Sequence, residues 1–552
     1  MADPKANPAD SSSDSAERYT NSGIPLRPVY SPRDLEGIDY QSEVGEPGEY
    51  PYVRGLYPTG YRKFSWMKRE LSGYGLPEET NQRQKQLMAL GQEGYGGQFT
   101  VMIAFDYPTN YGYDSDHPLA ITDVGKGGVL VDSIEDMERL FEGLPIETMH
   151  SALVIDTPAP VVLAMFIAYA ESRGVPRSQL RGSITNNPLS SYVGNNMHVF
   201  SPRVSLKLMM DEAAFCAREM PLWNHVNLIA YCMRESGATA VQEVAFIIAL
   251  AVDIVRAGIK MGLELDGFAP RLSFHFAFHN HIFEEVSKIR AARKIWARIM
   301  REQFKAENPK SWQMRIYAQT SGVALTRQEP MNNISRVTLQ ALSAVLAGCQ
   351  SLHTASYDEV YEIPSALAQN LALRTQQIIE HETGAADVVD PLGGSYYVEW
   401  LTSRIEQEAL VYLDRIEKMG GYVEALEKGY LGAEIARSAM KFQKDVDEGK
   451  RIIVGVNKFQ PEESPPVDVF EYNPKMVEIA CQRLADLRQR RDAGQAQASL
   501  EAVRQAAGRG EPLMPLFIEA VKAYATLGEV MEVLKRVYGE ASRNPVLASY
   551  GA

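Results

Sequence analysis

Short apolar segments alternate with longer helix-like segments from about residue 95 to residue 355, and this alternation constrains the fold more than any other feature. It predicts strands at residues 100–106, 152–156, 182–186, 226–231, 271–278, 314–319 and 351–354. It predicts helices at residues 133–141, 159–172, 204–219, 240–261, 281–305 and 332–347. Such alternation is typical of parallel α/β folds, and this number of units favours a closed (β/α)8 TIM barrel. A doubly wound sheet is the alternative, but no GxGxxG or Walker-type phosphate motif supports it.

The segment RLSFHFAF at residues 271–278 indicates that the lumen of the barrel is hydrophilic. Its apolar face carries Leu272, Phe274, Phe276 and Phe278, and its other face carries Arg271, Ser273, His275 and Ala277. Small or polar residues also recur on one face of other strands, namely Ser183, Thr185, Arg315, Tyr317, Gln319, Ser351 and His353. If the apolar faces pack on the outer helices, the polar faces line a lumen that can admit an extended ligand.

The chain divides into three regions. Residues 1–45 begin with a polar, acidic stretch and are predicted to be a flexible arm. Residues 46–400 are predicted to form the barrel, and residues 401–552 a C-terminal helical region. A stretch rich in proline and acidic residues at 460–474 is predicted to be a loop within that last region.

Composition excludes several classes of function. The 56 basic and 70 acidic residues leave a formal charge of −14, which disfavours nucleic acid as a partner. The four cysteines form no CxxC pair, and the N-terminus has no signal peptide pattern, so we expect a cytoplasmic protein. No apolar run reaches the roughly 18 residues that a membrane span needs, and we expect no membrane association.

A search for catalytic constellations finds none that is complete. His275, His279 and His281 lie close together, but no HExxH spacing accompanies them, and we predict polar strand-end residues instead of a metal site. Cys232 could be a nucleophile, although a lone cysteine is more often inert. A large barrel without an acid–base or nucleophilic set is expected where a cofactor supplies the difficult chemistry.

Seven sequence segments make the chain recognisable. They are YPTGY (57–61), FDYPTNYGYDSDHP (105–118), FAPRLSF (268–274), AQTSG (318–322), QSLHT (350–354), DPLGGSYYVE (390–399) and GVNKF (455–459). In this order they closely resemble the large, substrate-binding chain of adenosylcobalamin-dependent acyl-CoA mutases. That family includes methylmalonyl-CoA, isobutyryl-CoA and 2-hydroxyisobutyryl-CoA mutases, and the resemblance runs from about residue 45 to residue 545.

The resemblance implies a barrel that takes the pantetheine chain of coenzyme A lengthwise through its lumen. It also implies a radical 1,2-rearrangement of the carbon skeleton of an acyl-CoA, driven by adenosylcobalamin. The DxHxxG signature of the family's cobalamin-binding domain is absent from this sequence. We therefore expect a small cobalamin-binding partner subunit and an α2β2 heterotetramer.

The resemblance assigns roles to residues at positions that match the family's functional residues. Tyr57, Thr59, Arg69, Arg271 and Ser273 match positions that contact coenzyme A, Gln319 matches a residue near the acyl group, and Glu359 matches a carboxylate that binds the adenosyl ribose. Other matching positions differ from the family: Leu71, Thr185, Asn195 and Cys232 are implied to lie in the catalytic pocket, Phe64 at the entrance for CoA and Ala355 near the adenosyl group.

The differences at Leu71 and Asn195 concern the substrate. In methylmalonyl enzymes these positions hold a tyrosine and an arginine that pairs with the free carboxylate of the substrate. A buried carboxylate without that partner would cost several kcal/mol. The resemblance therefore implies a branched, neutral or hydroxylated acyl group similar to 2-hydroxyisobutyryl or 3-hydroxybutyryl, and not methylmalonyl-CoA.

The differences at Cys232 and Thr185 concern the thioester. Cys232 replaces a histidine that donates to the thioester carbonyl, and a thiol is a weak donor. Thr185 replaces a glutamine near the same group. We predict a mutase, with a non-catalytic or regulatory CoA-binding barrel as the alternative.

Overall fold

Eight strand positions form a ring of parallel strands in the structure, a computed structural model that describes residues 17–463 and 469–541. In chain order the strands are β1 Met67–Lys68, β2 Thr100–Ala104, β3 His150–Val154, β4 Arg181–Ile184, β5 Val226–Ile229, β6 Leu272–Phe278, β7 Ile316–Thr320 and β8 Ser351–His353. One parallel sheet has the order β1-β8-β7-β6-β5. The other has the order β2-β3-β4 followed by the short strand Trp223–Asn224, which precedes β5 in the chain.

Backbone hydrogen bonds join the two sheets at both pairs of edges. Beyond β1, the Ser72 N–H donates to Met102 O at 3.0 Å, and the Ala104 N–H donates to Ser72 O at 2.8 Å. Between β4 and β5, the Asn227 N–H donates to Thr185 O at 3.1 Å. The strand order around the ring is therefore the chain order, as in a (β/α)8 barrel, and the predicted fold class is confirmed.

Helices follow the strands and cover the ring. Up to β8 they are Pro77–Ala89, Tyr107–Tyr111, Ile134–Phe141, Ala159–Ser172, Pro188–Gly194, Pro202–Glu219, Tyr231–Glu235, Ala240–Lys260, Leu265–Phe268, Ile282–Arg298, Pro309–Trp312 and Asn332–Leu346. After β8 they are Ala366–Glu382, Tyr396–Met419, Tyr422–Glu427, Tyr430–Asp447, Met476–Arg490, Ala493–Arg509, Met514–Lys522 and Leu527–Tyr538. Across residues 17–463 and 469–541, no helix combines the length and apolar character that a membrane span requires.

The two faces of β6 separate as the sequence pattern predicts. Phe274, Phe276 and Phe278 are fully buried in the core between the strands and the outer helices. On the opposite face, Ser273 Oγ donates to Asn227 Oδ1 on β5 at 3.2 Å, inside the ring. On β6 the apolar side chains thus pack outward and the small or polar ones face the lumen, whereas Met102 on β2 and Tyr317 on β7 form a small apolar cluster inside the ring.

Residues 17–45, which we predicted to be part of a flexible arm, fold against the barrel. A two-residue strand Arg18–Tyr19 pairs with Pro25–Leu26, and Ile24 between them is buried in the main core. The backbone N–H groups of Asn21 and Ser22 donate to the carboxylate of Glu284 at 3.0 and 2.8 Å. Residues 1–16 lie outside the described residues, and the predicted region boundaries at 45 and 400 stay predictions.

The last helices are attached to the barrel through a buried aspartate. Asp114, in the loop after β2, accepts hydrogen bonds from Thr526 Oγ1 at 2.6 Å and from the Gly528 N–H at 2.7 Å. Arg488, on helix Met476–Arg490, places Nη2 2.7 Å from the same carboxylate. The helical region after residue 475 is therefore packed against the strands that carry the site. Of the predicted loop at 460–474, residues 464–468 lie outside the described residues.

Candidate functional site

A cavity of about 310 Å³ opens at the carboxyl ends of β1, β7 and β8. Leu71 follows β1 and forms part of the wall, where it packs in a small apolar cluster with Met102 and Tyr317. Gln319 from β7, His353 from the end of β8 and Glu359 from the following loop supply polar groups. Because these strands are parallel, their carboxyl ends bring together residues that are far apart in the sequence. Three predicted residues, Leu71, Gln319 and Glu359, thus line one cavity.

An ion pair fixes the imidazole of His353 at the floor of this cavity. Nδ1 of His353 lies 3.0 Å from Oε2 of Glu70, and both side chains are buried. Burial alone would lower the pKa of His353, but the hydrogen bond and charge of Glu70 outweigh burial and raise it. Oε1 of Glu70 is held in turn by Thr354 Oγ1 at 2.6 Å and Gln376 Nε2 at 2.7 Å. The sequence shows His353 on a polar strand face but gives no signal that Glu70 is its partner.

Two carboxylates converge beside Gly322, just after β7. A Cβ atom at Gly322 would lie 2.9 Å from Oε1 of Glu359 and 3.4 Å from Oε2 of Glu235, so only glycine leaves this space open. Burial raises the pKa of Glu359 to about 7, with the charge of Glu235 adding to the shift and His353 opposing it. Glu235 is anchored by Ser321 Oγ at 2.5 Å and the Val323 N–H at 2.7 Å. A pair of acceptors in this position suits the hydroxyl groups of a sugar.

Cys232 and Asn195 are brought together on the other side of the carboxyl end. Cys232 lies on helix Tyr231–Glu235, and Asn195 caps helix Pro188–Gly194. The helices touch so closely that a Cβ at Gly194 would lie 2.4 Å from Cβ of Cys232. Burial raises the pKa of the Cys232 thiol to about 12, with Asp156 adding to the shift and a hydrogen bond with Asn195 opposing it. The thiol therefore stays protonated at neutral pH, which does not suit a nucleophile.

Thr185 has its hydroxyl group committed to the backbone. Its Oγ1 donates to Ile155 O at 2.7 Å and accepts from the Ile155 N–H at the same distance. Its single donated proton is thus used by the fold. The threonine helps to hold β3 against β4, and the structure does not leave its proton for a ligand.

The amino end of the ring is cationic. Nη2 of Arg69 lies 2.9 Å from Nδ1 of His150, the first residue of β3. Burial lowers the pKa of His150 well below its usual value, and the nearby charges of Arg69, Arg315 and Arg181 lower it further. The pKa of Arg271 is lowered by burial and by Arg181. Cations that face one another in this way provide a site for an anion such as a phosphate group.

The remaining predicted CoA contacts lie at the same end. Tyr57 and Thr59 belong to the segment that precedes β1, and Tyr57 is 43% exposed beside a small cavity that Phe64 also lines. Ser273 lies inside the ring near the start of β6. The predicted site residues thus form two groups, one at each end of the lumen. Arg315, which the period-two pattern indicated on a polar strand face, and Arg181, which the sequence analysis did not single out, join the amino-end group.

The histidine cluster does not assemble as a metal site. His275 points into the lumen, whereas the ring of His279 lies 3.5 Å from Nδ2 of Asn21, outside the ring of strands. In the part of the chain that the structure describes, no three His, Cys, Asp or Glu side chains are arranged to hold a metal ion.

Comparison with known proteins identifies the family. The family model for methylmalonyl-CoA mutase matches residues 19–540. The chain is 39% identical to the 2-hydroxyisobutanoyl-CoA mutase large subunit of Aquincola tertiaricarbonis, over 96% of this chain and 93% of that protein. It is also 39% identical to a probable mitochondrial methylmalonyl-CoA mutase of Caenorhabditis elegans, over 94% of this chain and 69% of that protein.

A third relative has a name that describes one subunit of an assembly. The methylmalonyl-CoA mutase large subunit of Streptomyces virginiae is 37% identical, over 94% of this chain and 71% of that protein. Proteins of this family are isomerases that depend on adenosylcobalamin and act on CoA thioesters. The match over nearly the whole chain, together with the eight-stranded barrel, shows that this protein belongs to the methylmalonyl-CoA mutase family.

Proposed function

We propose that the chain is the large subunit of an adenosylcobalamin-dependent mutase that rearranges a branched acyl-CoA whose acyl group is neutral or hydroxylated. The observation that carries the proposal is the chemistry around the carboxyl end: Leu71 forms an apolar wall, and position 195 holds an amide instead of a cation. Asparagine can donate to and accept from a hydroxyl group but cannot neutralise a free carboxylate. An acyl group similar to 2-hydroxyisobutyryl or 3-hydroxybutyryl fits these contacts better than methylmalonyl.

The two ends of the lumen suit the two ends of an acyl-CoA. The arginines at the amino end match the phosphates, and the cavity at the carboxyl end has room for the acyl group. Between them lie small or polar side chains such as Ser273 and Asn227, which suit the amide-containing pantetheine arm. A ligand lying along this axis would itself fill the lumen and exclude water from the reacting carbons.

The carboxyl end also fits the adenosyl group of the cofactor. Glu359 and Glu235 present carboxylates beside the open space at Gly322, where they can accept hydrogen bonds from ribose hydroxyls. When bound, adenosylcobalamin supplies the radical chemistry of the rearrangement. The residues of this chain orient the acyl group: Leu71 restricts its position sterically, and Gln319 and Asn195 offer hydrogen bonds to its polar atoms.

A partner subunit follows from this proposal. Two of the similar proteins are named as large subunits, one of a 2-hydroxyisobutanoyl-CoA mutase and one of a methylmalonyl-CoA mutase. We infer that a small cobalamin-binding subunit closes the carboxyl end of the barrel, and we propose an α2β2 assembly in the cytoplasm.

The test is a turnover assay with a panel of substrates. The chain is mixed with a small cobalamin-binding subunit and adenosylcobalamin, and isomers of branched, hydroxylated and linear acyl-CoAs are followed by mass spectrometry. We expect turnover of a neutral or hydroxylated branched acyl-CoA and little turnover of methylmalonyl-CoA. Tight CoA binding without turnover of any substrate would instead favour a regulatory CoA-binding barrel.

A further inference from the structure

The turn at residues 57–60 carries two predicted CoA contacts, Tyr57 and Thr59, at the amino end of the barrel. The Gly60 N–H donates to Tyr57 O at 3.1 Å and closes the turn, and residues 57–59 are exposed. Exposed turns make few contacts of their own with the body of a protein. The position of this turn therefore depends on how the residues on either side of it are attached.

Asp390 attaches the segment before the turn to the outer helices. Its Oδ2 accepts a hydrogen bond from Arg54 Nε at 2.9 Å, and its Oδ1 accepts from Arg290 Nη1 at 2.6 Å. Arg290 lies on helix Ile282–Arg298, is 1% exposed and also donates to Glu399 at 2.5 Å. The side chain of Asp390 is itself 5% exposed, and burial strengthens the attraction between charges. Asp390 thus joins a surface segment to a fixed, buried cation.

A hydrogen bond attaches the segment after the turn. Tyr61 Oη donates to Cys349 O, just before β8, at 2.7 Å. Between the two attachments lies a cavity of about 50 Å³, which Tyr57 lines on the side of the turn and Arg293 on the side of the barrel. The turn is therefore not packed against the barrel over its whole length, and its two attachments determine where it lies.

We propose that Asp390 is a positioning residue for coenzyme A, because it holds Arg54 and thereby places the turn at residues 57–60 against the nucleotide end of the ligand. This inference rests on the proposed function, since it requires an acyl-CoA whose phosphates lie at the amino end. Asp390 acts through Arg54 and needs no contact with the ligand. A turn that is fixed before binding loses less conformational entropy when the ligand arrives. Breaking the ion pair should therefore weaken the binding of the nucleotide end and leave the rest of the ligand unaffected.

The test compares two ligands that differ only in the nucleotide end. Calorimetry with the full chain measures the affinity for a branched acyl-CoA and for the acyl-pantetheine that lacks its phosphates and adenosine. We expect Asp390→Asn to weaken the binding of the acyl-CoA about tenfold and that of the acyl-pantetheine less than about twofold. Asparagine tolerates the left-handed backbone at this position, where φ is 48°, and removes only the charge. Arg54→Gln should give the same pattern and is the variant to use if Asp390→Asn does not fold.

Glu399→Gln is the matched control. It removes the charge of the second carboxylate that pairs with Arg290 but keeps the pair of Arg54 with Asp390. It should lower the melting temperature, as Asp390→Asn does, and keep the wild-type ratio of the two affinities. Equal losses for both ligands in Asp390→Asn and Arg54→Gln, or a wild type that binds both ligands equally, would overturn the role of Asp390 alone. If the wild type binds neither ligand, it is the proposed function that fails.

Discussion

Nδ1 of His353 lies 3.0 Å from Oε2 of Glu70, inside the barrel and at the floor of the carboxyl-end cavity. The ion pair holds the imidazole beside the carboxylate, and the negative charge favours its protonated form. His353 therefore meets a ligand as a cationic donor over a wider pH range than a free histidine would. Glu70 follows β1 and His353 ends β8, so this ion pair joins the first and the last strand of the ring.

Glu70→Gln should lower the pKa of His353. The amide keeps the shape of the side chain but removes the charge, and burial then lowers the pKa of the imidazole. NMR titration of the histidine ring signals measures the change, and the exposed His381 serves as an internal reference. A His353 signal that titrates as in the wild type would contradict the ion pair.

Leu71→Tyr combined with Asn195→Arg should shift preference towards methylmalonyl-CoA. The tyrosine reduces the apolar space beside Gln319, and the arginine supplies a charge partner for the free carboxylate. We expect the ratio of kcat/KM for methylmalonyl-CoA over the native substrate to rise by at least about tenfold, a difference of about 1.4 kcal/mol. The single variants separate the effect of size from that of charge. A folded double variant that still rejects methylmalonyl-CoA would show that these residues do not contact the acyl group.

Glu359→Gln should stabilise the protein above neutral pH. The pKa of Glu359 is raised to about 7 in the folded chain, so between about pH 4.5 and 7 the folded state holds more protons than the unfolded state. The free energy of unfolding of the wild type therefore falls as pH rises through this window, and the loss is complete above it. The variant should exceed the wild type by about 1–3 kcal/mol at pH 8 and match it near pH 4. Thermal unfolding at several pH values measures this, and a constant difference would contradict it.

Arg488→Met should destabilise the packing of the C-terminal helices on the barrel. It leaves the buried carboxylate of Asp114, whose pKa burial already raises to about 6, without its cation. We expect a loss of about 2–4 kcal/mol at pH 8 and a smaller loss near pH 5, where Asp114 can be protonated. Arg490→Met on the same helix is the matched control, because Arg490 pairs with Glu135 at the surface and should cost less than about 1 kcal/mol. Equal losses in both variants, measured by thermal unfolding, would contradict the role of Asp114.

Most strands, most helices and the lumen face could be predicted because apolar residues recur with a period of two in strands and of about 3.6 in helices. The predicted strand at 271–278 agrees with Leu272–Phe278, and the predicted helix at 159–172 agrees with Ala159–Ser172. The strand Met67–Lys68 has no such pattern, because it is short and takes its partners from β8 and β2. The structure identifies this strand because it pairs with β8 on one side and its continuation bonds to β2 on the other.

The site was harder to predict than the fold. Leu71, Gln319 and Glu359 were found from the resemblance, but the partnership of Glu70 with His353 joins residues 283 positions apart, and no local pattern encodes it. The converging carboxylates of Glu235 and Glu359 depend on the small size of Gly322, which is visible only in three dimensions. The folding of residues 17–45 also escaped prediction, because one buried side chain, Ile24, and two backbone donors to Glu284 are enough to attach the segment.

The central claim is that an acyl-CoA lies along the axis of the barrel, and a structure determined with a bound non-reactive acyl-CoA analogue tests it most directly. We expect density for the phosphates beside Arg271, for the pantetheine arm through the ring past Ser273, and for the acyl group between Leu71 and Gln319. Density for the ligand on the outer surface, with the lumen closed by protein side chains, would contradict the account.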